Sequence, residues 1–112
     1  MPSMSYPTLT EIKRAKVARM TAAVEALAQD LIAYAREHGG RFILFGTAAR
    51  GELRHDSDVD ILADFPPDRS WDAVGYASDR AEGLGLVPDV QPFGLSGQGV
   101  RERVASEGRV LA

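Results

Sequence analysis

The chain has 112 residues, with 13 Lys and Arg against 16 Asp and Glu, and a formal net charge of −3 at pH 7. This length predicts one domain over residues 1–112 and leaves no room for a second, substrate-binding domain. The acidic balance argues against direct nucleic-acid binding. The lack of cysteine excludes disulfides, thiolate metal sites and a cysteine nucleophile. No stretch approaches the roughly 18 apolar residues that span a bilayer, and the first residues lack a signal-peptide core, so we expect a soluble, cytoplasmic protein without a membrane partner.

A long N-terminal helix is predicted over residues 8–38, after a loose leader at residues 1–7. Thr8 and Glu11 have the spacing of a capping box, and neither Pro nor Gly interrupts the segment. Apolar residues recur every three or four positions, as in a helix that buries one face: Val17, Met20, Val24, Leu27, Leu31 and Tyr34. The favoured interpretation is that this stripe covers a sheet, and the alternative is a seam with a partner chain.

The first turns of this helix extend beyond what a small sheet would cover. They mix apolar and basic side chains: Leu9, Ile12, Lys13, Arg14, Lys16 and Arg19. This overhang is therefore a candidate for contact with a partner, including a second copy of the chain.

The central stretch, residues 42–65, predicts a strand, a tight turn, a short helix, a loop and a second strand. The apolar strand at residues 41–45 stops at Gly46-Thr47, and ten residues later Asp58-Val59-Asp60 begins another apolar run. Side chains two apart on a strand share a face, so Asp58 and Asp60 are expected together, opposite the core residues. Two neighbouring carboxylates favour a cation such as Mg²⁺.

The remaining elements are a helix over residues 71–83, a short strand over residues 86–90, a helix over residues 97–107 and a final strand at residues 110–111. Ser70 and Ser96 are the predicted N-caps of the two helices, and Trp71 begins the predicted core stripe of the first helix. Pro88 confines the short strand to a sheet edge.

The spacing of Gly46-Thr47, ten residues and Asp58-Val59-Asp60 resembles the glycine-serine, ten-residue, Asp-x-Asp signature of the DNA polymerase β-like nucleotidyltransferases. The chain's size is similar to that of the minimal nucleotidyltransferases, which in prokaryotes are usually antitoxin partners of HEPN-domain toxins. Thr47 stands where the family usually has serine, which keeps the hydroxyl and adds a methyl group. The resemblance implies an α+β fold of two layers, with a small mixed sheet and helices packed on one face.

The resemblance also implies roles for individual residues. Asp58 and Asp60 would hold Mg²⁺, while Gly46 and Thr47 would hold the β- and γ-phosphates of a nucleotide. Asp89 would be the third carboxylate, a metal ligand and the general base, although it also fits an ordinary turn residue after a proline. Arg50 is a candidate phosphate ligand. Its equally good alternative is a surface arginine that pairs with Glu52 or another acidic residue.

Other motifs that use aspartates or glycines do not fit. An EF-hand loop would need glycine where Ile61 stands and glutamate where Pro67 stands. Neither a Walker phosphate loop nor a dinucleotide-binding fingerprint is present in the sequence.

The hypothesis is a Mg²⁺-dependent nucleotidyltransferase that moves a nucleoside monophosphate, with AMP favoured, from ATP or another NTP to a hydroxyl. By resemblance the acceptor is a tyrosine of a cognate HEPN ribonuclease toxin, so the chain would be an AMPylating antitoxin. One alternative is an inert antitoxin that neutralises the toxin by binding. Another is a nucleotidyltransferase for small molecules, with a homodimer through the N-terminal helix supplying the missing walls of the site.

Overall fold

A computed structural model describes residues 6–95 and 97–112, without the side chains of residues 100, 104 and 105. Most of the predicted leader and the predicted Ser96 cap lie outside the described residues. None of the described helices is both long and apolar enough to cross a membrane.

The first helix, α1, covers Leu9–His38 and begins with the predicted capping box. The backbone N–H of Glu11 donates to Oγ1 of Thr8 at 3.1 Å, and the N–H of Thr8 donates to Oε2 of Glu11 at 3.2 Å. The helix ends at Gly39, which adopts the left-handed conformation with φ of 74°. Its first eleven residues include no buried side chain, and the buried residues that follow are Met20, Val24, Leu27, Ala28, Leu31 and Ala35.

Four strands form one mixed sheet in the order β3-β2-β1-β4. They are β1 (Arg41–Phe45), β2 (Val59–Asp64), β3 (Pro88–Pro92) and β4 (Arg109–Leu111). The central strand β1 runs antiparallel to both β2 and β4, while β3 runs parallel to β2. Pro88 opens β3 at a sheet edge, which confirms the edge position that its missing N–H requires.

Helix α1 and helix α3 (Ser70–Gly83) cover one face of the sheet. Strand residues that alternate along β1 and β2 point into this core: Phe42, Leu44, Val59, Ile61 and Ala63. The predicted α+β architecture with helices on one face is therefore confirmed.

The predicted core stripe of α3 is wrong at its first residue. Trp71 is 65% exposed, and the helix instead buries Ala73, Ala77 and Ala81 against the sheet. Ser70 is the first helical residue rather than the cap, and its hydroxyl donates to the carbonyl oxygen of Pro66 at 3.2 Å. Alanines at this face let the helix backbone approach the strands closely, whereas an indole would hold them apart.

The opposite face of the sheet is only partly covered. Ile43 and Leu62 are buried there and pack against Phe45 and Phe93. The short helix α2 (Thr47–Arg50), a 3₁₀ turn at Phe93–Leu95 and helix α4 (Gln98–Glu107) complete the chain.

Candidate active site

Gly46 connects β1 to α2 in a conformation that a side chain would not tolerate. Its φ of 68° and ψ of −147° fall in a region that is essentially restricted to glycine. A Cβ at this position would lie 2.7 Å from Oδ2 of Asp60. The backbone at Gly46 therefore lies directly against the Asp60 carboxylate, and Thr47 follows as the first residue of α2.

Asp60 lies on β2 between two other strands. Its direct neighbour is Phe45 on the antiparallel side and Asp89 on the parallel side. Asp60 is half-buried, whereas Asp58 is exposed and immediately precedes β2. Because Val59 and Ile61 point into the helix-covered core, Asp60 lies on the more open face.

The loop before Asp58 is shaped by its own hydrogen bonds. The N–H of Arg54 donates to Oγ of Ser57 at 2.7 Å, and the N–H of Ser57 donates to the carbonyl oxygen of Arg54 at 3.1 Å. These contacts close a turn that delivers the chain to the start of β2.

The charges of Asp58 and Asp89 act on Asp60. Burial raises the pKa of Asp60 above its ordinary value, and the negative charges of Asp89 and Asp58 raise it further. The sequence-predicted carboxylates Asp58 and Asp89 are therefore close enough to Asp60 to influence its pKa. The cluster favours a bound cation, because a cation would relieve the repulsion.

Arg103, on α4, was missed by the sequence prediction. Its positive charge lowers the pKa of Asp60 and partly offsets the repulsion from the other aspartates. No spacing in the sequence connects residue 103 to residue 60. The available signal was the pair Arg101 and Arg103 in α4, although Glu102 and Glu107 balance their charge within the helix.

Arg50 is held by two carboxylates. Its Nε lies 3.1 Å from Oε2 of Glu52, and its Nη1 lies 3.3 Å from Oε2 of Glu107. The surface-pair alternative thus describes the arginine in this structure. Nucleotide binding by Arg50 remains a prediction that requires release from these partners.

The donor atoms near Asp60 are carboxylate oxygens, which hard cations such as Mg²⁺ prefer. Across the described residues, no three His, Cys, Asp or Glu side chains form a ready-made metal site. Mg²⁺ commonly uses one or two protein carboxylates and takes its other ligands from water and substrate phosphates. The residues therefore fit a cation that binds together with a nucleotide.

Comparison with known proteins identifies the family of this chain. The sequence pattern of the nucleotidyltransferase domain matches residues 25–111, which include the turn at Gly46 and all three aspartates. The chain belongs to the nucleotidyltransferase domain family. Its membership supports a transferase, and no curated protein matches the sequence.

Solved structures share this nucleotidyltransferase fold. One, named "Structure of putative minimal nucleotidyltransferase", is 27% identical with a TM-score of 0.64, and the match covers 80% of this chain and 93% of that one. A toxin–antitoxin crystal structure with AMP-PNP is 20% identical with a TM-score of 0.58, and the match covers 76% of this chain and 72% of that one. A mutant of the MntA-HpeT toxin–antitoxin pair is 16% identical, with a TM-score of 0.57 and the same coverage. The last two similarities show the fold alone.

Proposed function

We propose that this nucleotidyltransferase domain moves AMP from ATP to a tyrosine hydroxyl of a cognate HEPN toxin and so acts as its antitoxin. The observation that carries the proposal is the packing of the Gly46 turn against Asp60, with Asp89 beside Asp60 in the sheet. This arrangement places a backbone turn suited to phosphate next to carboxylates suited to a cation. The toxin–antitoxin neighbours, one of them with a nucleotide analogue, support the choice of partner and nucleotide.

In this proposal Asp58, Asp60 and Asp89 would hold Mg²⁺, which supplies neutralisation of phosphate charge when bound. The backbone of Gly46 and the hydroxyl of Thr47 bind the β- and γ-phosphates and orient the α-phosphate. Most of the rate enhancement would come from this positioning and from charge stabilisation.

The proton movement follows from the exposure of Asp89. Asp89 is exposed on an edge strand, so a hydroxyl carried by another protein can reach it. Its carboxylate accepts the hydroxyl proton while the oxygen attacks the α-phosphorus. The bond from the α-phosphorus to the bridging oxygen breaks, and pyrophosphate leaves with the electron pair.

The test is incubation with α-labelled ATP, Mg²⁺ and the toxin encoded beside this chain's gene. Wild type should label the toxin, and Asp58→Asn and Asp60→Asn should each lose at least about 100-fold in rate. Asp64→Asn is the matched control. Asp64 lies on the same strand as Asp60, but it pairs with Arg41 at 2.8 Å, away from the site. Equal labelling by wild type and both site variants would refute the proposal.

A second candidate is an antitoxin that acts by binding alone. The ion pairs of Arg50 with Glu52 and Glu107 favour it, because they engage the guanidinium that was predicted to bind phosphate. A stable complex with the toxin, with no label in wild type, would establish this alternative.

A further inference from the structure

The first turns of α1 extend past the hydrophobic core and form one wall of a cleft. Residues 9–19 contain no buried side chain, and the first buried residue of the helix is Met20. These eleven residues correspond to about 16 Å of helix at 1.5 Å per residue. Opposite them lies the loop of residues 53–55, and together they line a shallow, open cleft of about 400 Å³.

The cleft and the overhang beside it carry five cations. Lys13, Arg14 and Arg54 line the cleft together with His55, whereas Lys16 and Arg19, on the same overhang, line a neighbouring cleft. Within the described part of the chain none of the five forms an ion pair, although four other arginines do. The chain as a whole has a net charge of −3, so this patch differs in sign from the rest of the surface.

The cleft lies beside the candidate active site. Lys16 and Met20 line a second, smaller cleft with His55, Asp56 and Ser57, which lead directly to Asp58. Asp58 follows His55 by three positions, so their Cα atoms are at most about 11 Å apart. A segment held in the cleft would therefore bring its neighbouring residues towards Asp58, the first of the three aspartates.

We propose that this basic cleft binds an acidic, partly apolar segment of the acceptor protein and thereby delivers the acceptor hydroxyl to the site. The proposal rests on the proposed transfer function for the identity of the acceptor. Charge complementarity requires an acidic partner. Val17 and Leu53 line the cleft, and Leu9 and Ile12 are 67% and 48% exposed on the overhang, so the partner must also offer apolar side chains.

Two other occupants fit less well. RNA would use aromatic side chains for stacking as well as cations, and none of the residues that line the cleft is a Phe, Tyr or Trp. A symmetric dimer through the overhang would place the same cations of two copies against each other, because such an interface pairs a patch with itself. A protein segment rich in Asp or Glu meets neither objection.

The experiment compares Arg14→Glu with Arg36→Glu. Both arginines are exposed on α1 and lack an ion pair among the described residues, and both changes alter the net charge equally. With the neighbouring toxin as acceptor, Arg14→Glu should raise KM for the toxin by roughly fivefold to tenfold, leaving kcat and KM for ATP unchanged. Arg36→Glu should leave all three constants unchanged. Arg54→Glu, on the opposite wall, should raise KM for the toxin by a similar factor. Added salt should reduce the difference in KM between wild type and either variant.

Direct binding by calorimetry separates this inference from the transfer function. If wild type does not label the toxin but binds it, and Arg14→Glu weakens that binding, docking stands and transfer fails. If wild type labels the toxin and Arg14→Glu has an unchanged KM, transfer stands and docking is overturned. A complete lack of toxin binding overturns docking. Binding of poly(U) RNA that depends on Arg14, or a wild-type dimer that Arg14→Glu dissociates in sedimentation, would overturn it in favour of those occupants.

Discussion

Replacing Gly46 with alanine tests the central contact of the candidate site. The backbone at Gly46 has a positive φ of 68° that alanine rarely adopts, which alone should destabilise the fold by about 1–3 kcal/mol. The new Cβ would also lie 2.7 Å from Oδ2 of Asp60, so the carboxylate must turn away. We therefore expect a lower melting temperature, by roughly 4 °C for each kcal/mol, and loss of transfer to the level of Asp60→Asn.

Two other glycines give matched controls for the same substitution. Gly51 has a φ of 69° but open space around it, so Gly51→Ala should show the backbone penalty without the loss of transfer. Gly75 lies within α3 with open space and no positive φ, so Gly75→Ala should stabilise the fold by about 0.5–1 kcal/mol. Urea unfolding and transfer assays on the three variants provide the measurement. If Gly46→Ala is as active and as stable as Gly75→Ala, the contact with Asp60 has no role.

Further predictions concern ionisation and packing. The pKa of Asp60 is raised in the folded protein, so the ionised carboxylate destabilises the fold. The stabilisation from protonated Asp60 is present at acid pH and is lost as pH rises through the raised pKa. Thermal melts at pH 7 should therefore find Asp60→Asn no less stable than wild type, and a clear loss of stability would contradict this electrostatic account. At sub-saturating Mg²⁺, transfer should decline on acidification at a higher pH than an ordinary aspartate would cause, because protons compete with the metal for the Asp60 carboxylate. A pH–rate profile under these conditions that is unaffected until the ordinary aspartate range would oppose this. Gly40→Ala should lower the free energy of unfolding by about 1–3 kcal/mol, because the new Cβ would lie 2.2 Å from Cδ1 of Phe65. An unchanged midpoint of urea unfolding would show that the Phe65 ring moves freely. Leu27→Ala should lower the free energy of unfolding by about 2–5 kcal/mol, and a value below about 1 kcal/mol would contradict full burial of Leu27.

Local sequence signals predicted most of the fold. The Thr8 and Glu11 capping box, the left-handed glycine at Gly39 and the alternation around Val59 each depend on residues a few positions apart. Such signals act through the backbone of one element, so they are legible without knowledge of the neighbouring elements.

Other features depend on contacts between distant segments. Trp71 is apolar and helically spaced, yet it lies outside the core because alanines provide the close approach between α3 and the sheet. Arg103 influences Asp60 across more than 40 positions of sequence, and Arg50 pairs with Glu107 only after α4 has folded back. No periodicity within one element contains this information, since each contact is created by the arrangement of elements.

The ten-residue spacing of the motif has a structural cause as well as a chemical one. Gly46 ends β1 and Asp60 lies near the start of β2, so the segment between them is the connection of an antiparallel strand pair whose register places Phe45 opposite Asp60. A register slip of one residue would turn Asp60 towards the helices and Val59 towards solvent. Burial of Val59 therefore fixes the face on which Asp60 lies, and the same core residues that stabilise the sheet hold the carboxylate against the Gly46 turn. Selection for the core and selection for the site thus act on the same strand register.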